Sequence, residues 1–212
     1  MNHWLQNSIR NLLPLSRSDD FQEALAEWFF TGGVEDYEWE DADVVCELCE
    51  HPDLAHHYQI KNSHTGSSLL VGSKCILKFQ QIEIRDELGE AIVDSVLRRK
   101  ALEAALRKRM LETSLDPLRK LWKVEKGRRN YIEGIASEIK RDGGLSPRRL
   151  LEIFSWFDVR NIAYSAKLYK VNLRGDEARL YMSTIPLHQF QLIAPALSSS
   201  QKEVVRKLRD GT

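Results

Sequence analysis

The sequence predicts a mainly α protein carrying a small β-containing treble-clef zinc module, and therefore an α+β chain. Three observations predict it. All the cysteines, Cys46, Cys49 and Cys75, share one pattern: a CxxC pair, then a third thiol behind Gly72-Ser73-Lys74. The residues between them read as a hairpin. The residues on both sides carry apolar positions at helical spacing.

The elements follow in chain order. Ser18-Asp19-Asp20 reads as a helix N-cap with acidic residues in the first turn, where the helix dipole favours them. Phe21, Leu25, Trp28 and Phe29 then recur at helical spacing, and Gly32-Gly33 is expected to end that helix. Glu35 to Asp43 is an acidic linker with Tyr37 and Trp39. Tyr58 and Ile60 before the turn at Asn62-Ser63-His64-Thr65-Gly66, and Leu69, Leu70 and Val71 after it, make the hairpin. A helix is expected from Asp86 to about Thr113, and a second from Asp116-Pro117, with proline at the first helical position. Gly127 is its weak point and Asp142-Gly143-Gly144 its stop. Short helices follow, opened at Ser146-Pro147 and at Ser198-Ser199-Ser200-Gln201. The organisation expected is thus an N-terminal helical segment and acidic linker over 1–43, a zinc-binding module over 44–80 and a basic helical domain over 81–212.

The metal chemistry rests on spacing. A CxxC turn presents two thiolates to one ion, and the turn's amides can hydrogen-bond the sulfurs. Cys75 sits where a tight turn enters a helix, and a helix N-terminus favours a thiolate. Three is an odd count for a disulfide framework. Zinc is the expected cofactor, in a closed site that needs a fourth ligand. His57 and His51 stand equal for that place. His56 shares a strand face with Tyr58 and Ile60 and is expected to pack, and His64 lies in the turn. A nuclease of the HNH class also sets a hairpin histidine beside a zinc knuckle. Such a site needs further ligands on the following helix, and after Cys75 no histidine occurs before His188. No catalytic residue is assigned.

The run Cys46-Glu-Leu-Cys49, Leu54, Tyr58-Gln-Ile60-Lys-Asn62, Thr65-Gly66, Leu70-Val-Gly-Ser73-Lys-Cys75-Ile-Leu-Lys-Phe79 resembles a family of small bacterial and mobile-element proteins with a zinc-finger-like motif. Glu27-Trp28, Tyr169-Lys-Val-Asn-Leu-Arg174 and Leu197 to Gln201 are similar to it too. The resemblance implies metal binding and no settled activity. Glu50 stands where that pattern has glycine after the second cysteine, which bears on the tightness of the knuckle.

Charge supplies the partner reading. The net charge is zero, yet residues 1–97 carry a net −12 and residues 98–212 a net +12. Between 98 and 149, 16 Lys/Arg face 7 Asp/Glu, and they come in clusters. Arg98, Arg99 and Lys100, then Arg107, Lys108 and Arg109, then Arg128 and Arg129, are the candidate phosphate contacts, because clustered cations release condensed counterions from nucleic acid. Trp122 and Tyr131 among them fit the apolar stripe of a core. The expected function is a zinc-stabilised, non-enzymatic nucleic-acid-binding protein that reads backbone or shape. The alternative is a protein-interaction module, or an adaptor of a mobile-element or phage-related system, with the acidic linker as the partner segment. No apolar run nears the roughly 18 residues of a membrane span. The first residues lack the basic-then-apolar order of a secretory signal, so a cytoplasmic protein is expected.

Overall fold

The computed structural model describes residues 3–36, 44–52, 54 and 56–210. The protein is mostly helical with a three-stranded antiparallel sheet, as an α+β reading requires. It divides into two compact units, Met1–Arg109 and Met110–Thr212. The described residues of the expected zinc-binding module and the start of the expected helical domain share the first unit.

That unit opens with helix α1 (His3–Leu12) and the short helix α2 (Phe21–Ala26). Asp20 caps α2 as expected, its Oδ1 accepting the amides of Gln22 at 2.9 Å and Glu23 at 3.0 Å. The helix was expected to continue to Phe29, but Trp28 begins strand β1 (Trp28–Asp36). The cause is tertiary. Aromatic and β-branched residues fit a pleated surface, and Phe30 pairs with Ile60 of β2 (His56–Asn62). Gly32-Gly33 is a bulge in that strand rather than a helix stop. The register shifts between Phe30 and Val34, and Gly32 takes φ +83°. Strand β3 (Ser68–Val71) completes the order β1-β2-β3, with Tyr58 opposite Val71 and Ile60 opposite Leu69. Helix α3 (Ser73–Lys78) follows. Leu12, Leu25, Trp28, Ile60, Ile76 and Leu102 bury together with the three cysteines in one core.

Helix α4 (Ser95–Val124) starts nine residues later than the apolar spacing suggests. Asp94 decides the start, its Oδ1 accepting the amides of Val96 at 3.0 Å and Leu97 at 2.8 Å. Upstream, Asp86 to Glu90 form a turn with Gly89 at φ +86°, which leaves Leu88 on the surface. Pro117 was expected to open a new helix, but it lies inside α4. A proline there removes one intrahelical donor. Nearby, the Tyr169 hydroxyl donates to the Ser114 carbonyl at 2.6 Å.

In the second unit the chain turns through Lys126–Arg128, around Gly127, into α5 (Arg129–Asp142). Gly143 ends α5 at φ +66°, and Ser146 caps α6 (Pro147–Val159), both as expected. Helices α7 (Asp176–Thr184), α8 (Leu187–Ile193) and α9 (Ser199–Asp210) follow. A reciprocal capping box opens α9: Ser198 Oγ accepts the Gln201 amide at 3.2 Å, and Gln201 Oε1 accepts the Ser198 amide at 3.0 Å. The core gathers Leu121, Ile135, Phe154, Phe157, Tyr169 and Val205.

Candidate metal centre and basic surface

The CxxC turn is a tight knuckle. The Glu50 amide donates to the Cys46 carbonyl at 2.7 Å, and the Cys46 amide to the His51 carbonyl at 2.9 Å. Closing it puts Glu50 at φ +62°, a left-handed conformation unusual for a residue with a Cβ. The knuckle is tied to β3 through the Glu47 amide, which donates to Leu70 at 3.0 Å. Helix α3 supplies Cys75 from its first turn, and the Gly72 amide donates to Cys46 Sγ at 3.4 Å.

These elements bring the three sulfurs together and bury them. Cys46 Sγ lies 3.7 Å from Cys75 Sγ, and Cys75 Sγ lies 3.3 Å from Cys49 Sγ. All three ligand atoms fall within 4.8 Å of one another, and the group can hold a metal ion. A disulfide would need about 2.05 Å. A tetrahedral ion with sulfur at about 2.3 Å sets its sulfurs about 3.8 Å apart, close to the spacing between Cys46 and Cys75. Among the described residues it is the one group of His, Cys, Asp and Glu side chains that meets this condition.

The electrostatics favour one thiolate at Cys46. The Cys75 thiol hydrogen-bonds to it, burial opposes, and the Gly72, Cys49 and Leu48 amides assist, so its pKa is pushed down to about 5. Cys75 moves the other way, because it keeps the proton it shares with Cys46 and because burial disfavours a second charge. Burial likewise raises Cys49. A cation among the three sulfurs would displace the remaining protons.

The histidines divide. His57 is buried and donates through Nε2 to the Val45 carbonyl at 3.0 Å. It lies outside the sulfur group. His51 and His56 line a cavity of about 490 Å³ beside the cysteines, together with Trp4, Tyr58 and Lys78. The strand face of His56 and Tyr58 is thus the one that meets this cavity. His64 stays in the hairpin turn.

Sequence reasoning missed α1 altogether. Asn7 Nδ2 donates to the Cys49 carbonyl at 3.3 Å and Asn11 Nδ2 to the Leu48 carbonyl at 3.2 Å. Arg10 and Asn11 both reach Glu50 Oε1, at 2.5 Å and 3.0 Å. Trp4 stacks on Phe79 at 4.6 Å beneath the Lys78 ammonium. The available signal was the i, i+4 spacing of Asn7 and Asn11, alongside Trp4, Ser8 and Leu12 on one helix.

The basic residues also divide. Arg98 is corrected from the phosphate-contact set. It is 3 % exposed, and its guanidinium donates to the carbonyls of Ile76 and Ile82, each at 2.9 Å, and of Ile92 at 3.3 Å. Arg99, Lys100, Arg107, Lys108 and Arg109 are exposed. Lys100 and Arg107, seven residues apart, occupy one stripe of α4 about two turns apart, and Arg107 shares Glu103 at 3.7 Å. In the second unit Arg129 is half-buried over Trp122, 3.9 Å from the ring, and Arg128 lies 4.6 Å over Trp156. Trp122 packs against the core, as its stripe suggested. Most of the acidic linker, residues 37–43 with Tyr37 and Trp39, lies outside the described residues. No described helix is long and apolar enough to cross a membrane.

No family model, no curated protein and no solved structure matches this chain.

Proposed function

We propose that the chain is a zinc-stabilised, non-enzymatic nucleic-acid-binding protein whose cysteine module is a treble clef. Knuckle, hairpin and a ligand-bearing helix occur in the treble-clef order. Three clustered thiolates suit a soft or borderline ion. Zinc is the assigned ion because it takes a CxxC knuckle without redox chemistry. His51, which lines the sulfur-side cavity, is proposed as the fourth ligand, and His57, whose Nε2 donates to the Val45 carbonyl, stays the alternative through Nδ1.

The observation that carries the nucleic-acid reading is the solvent face of α4. Arg99, Lys100, Arg107 and Lys108 stand on it, outside the core. Cations so arranged meet a phosphate backbone and carry little base information. In the second unit, Arg128 is exposed and offers a further cation of its own, whereas Arg129 serves its own fold.

The test is binding of duplex DNA and of RNA across a salt series by the full chain. Affinity should fall linearly in log–log form, with a slope near −0.9 per phosphate neutralised on duplex DNA. Exchanging Arg107, Lys108 and Arg109 for Gln should flatten that slope equally for unrelated sequences. Absence of binding to either polymer at low salt would leave the basic helix as a docking face for an acidic protein.

A further inference from the structure

The second unit contains a basic cleft that the α4 reading does not use. It has a volume of about 750 Å³ and is walled by separated stretches of chain, the end of α5, residues 170–174, α7 and the start of α9. Two of these stretches, 170–174 and 200–201, belong to the segments singled out above from the sequence.

The floor is a short ladder. The Leu145 amide donates to the Lys170 carbonyl at 2.9 Å, and the Asn172 amide to the Leu145 carbonyl at 2.8 Å. The close approach requires glycine at 144, where a Cβ would stand 2.7 Å from the Lys170 carbonyl oxygen. Gln201 fixes α9 to this ladder, its Nε2 donating to the Val171 carbonyl at 2.7 Å. Ser200 brings the N-terminal turn of the twelve-residue α9 to the rim, where the helix dipole favours an anion.

The walls are cationic. Arg141, Lys170, Arg174 and Arg179 line the cleft against one carboxylate, Asp142. Asp142 is taken up by Arg141, at 2.9 and 2.7 Å. The Arg179 guanidinium is oriented by the Leu173 carbonyl at 3.1 Å and stands 3.8 Å from the fully exposed Asp176. Among the described residues, neither Lys170 nor Arg174 has an ion-pair partner. A concave wall with two unpaired cations and an oriented guanidinium concentrates positive potential.

We propose that this cleft binds a phosphate group, held by Lys170, Arg174 and Arg179 at the α9 N-terminus. Guanidinium forks match phosphate oxygens in paired hydrogen bonds. The phosphate can belong to a nucleic-acid backbone or to a free phosphorylated molecule. The site is independent of the α4 surface and stands if that surface binds nothing.

The test uses the full chain with labelled backbone amides. Pyrophosphate should move the resonances of Gly144, Asn172 and Arg174, and sodium chloride at matched ionic strength should not. Exchanging Lys170 and Arg174 together for Gln should weaken pyrophosphate binding at least about tenfold, the loss expected for removing charge-assisted hydrogen bonds. The Arg107, Lys108 and Arg109 exchange should leave it unchanged. A short oligonucleotide that moves the same resonances and displaces pyrophosphate identifies a polymer backbone as the source. One that leaves them in place identifies a free phosphorylated ligand. Resonances that do not move with pyrophosphate or oligonucleotide, that move equally with chloride, or that move equally in the folded double variant overturn the proposal.

Discussion

Asn62 donates through Nδ2 to Glu27 Oε2 at 2.7 Å, while its Oδ1 accepts the amides of His64 at 2.8 Å and Thr65 at 2.9 Å. The Glu27 carboxylate also accepts the amides of Arg17 and Ser18, each at 2.8 Å. One buried carboxylate thus joins the loop before α2 to the hairpin turn beside β1. Burial pushes its pKa up, but the Arg17 amide, Asn62 and the Ser18 amide outweigh it and hold the group below the ordinary glutamate value. The folded state therefore binds fewer protons than the unfolded one. This contribution is complete above the unfolded pKa of about 4.3 and is lost as pH falls through that value toward the folded one. Glu27→Gln should lower the urea midpoint at pH 7 and shallow its fall toward pH 4. An acid limb parallel to that of the unmodified chain would contradict this.

Arg98 is buried and its neighbour Arg99 is exposed. Arg98→Gln leaves carbonyls of the Ile76–Ile92 region without their donors, and should cost about 1–3 kcal/mol of stability. Arg99→Gln should leave the thermal midpoint in place and weaken nucleic-acid binding. Thermal melts and a low-salt binding assay on both variants check the split. Equal stability of the two variants would remove the distinction.

Glu50 closes the knuckle in a left-handed conformation and is held there by Arg10 and Asn11. Glu50→Ala keeps the backbone strain and loses the contacts, whereas Glu50→Gly loses the contacts and relieves the strain. The Ala variant should be the less stable of the two by thermal melting. The reverse order would mean that the left-handed turn at this position holds no strain for glycine to relieve.

Two glycines of the second unit should respond oppositely to alanine. Gly134 lies exposed within α5, with nothing within 4 Å of an added Cβ, so Gly134→Ala should gain about 0.5–1 kcal/mol. Gly144→Ala drives a Cβ against the Lys170 carbonyl and should cost about 1–3 kcal/mol. Urea denaturation of both variants measures the two signs.

Local chemistry was readable where it acts within a few residues. Asp20, Ser146 and Ser198 cap the expected helices, Gly143 ends α5, and the Asn62–Gly66 turn joins the expected strands. The three cysteines also meet as their spacing implies. The misreadings share a cause, which is that partners distant in sequence overrode local pattern. Trp28 and Phe29 fit a helical stripe until β2 offers them a sheet edge. Arg98 reads as one cation of a cluster until the α3 and Ile82 carbonyls surround it. Pro117 reads as a first helical residue, yet α4 runs through it in the unit where Tyr169 reaches Ser114. The role of α1 in clasping the knuckle spans about forty residues, beyond the reach of any short periodicity.

The metal centre carries the account, and the most direct test is the mass of the intact, natively sprayed chain together with its zinc content. The sulfur geometry predicts one zinc per chain, lost in Cys75→Ser together with the thermal stability of the first unit. His51→Ala should weaken retention and His57→Ala should not. A chain isolated without metal, whose melting is unchanged by a strong chelator and by Cys75→Ser, would contradict the account.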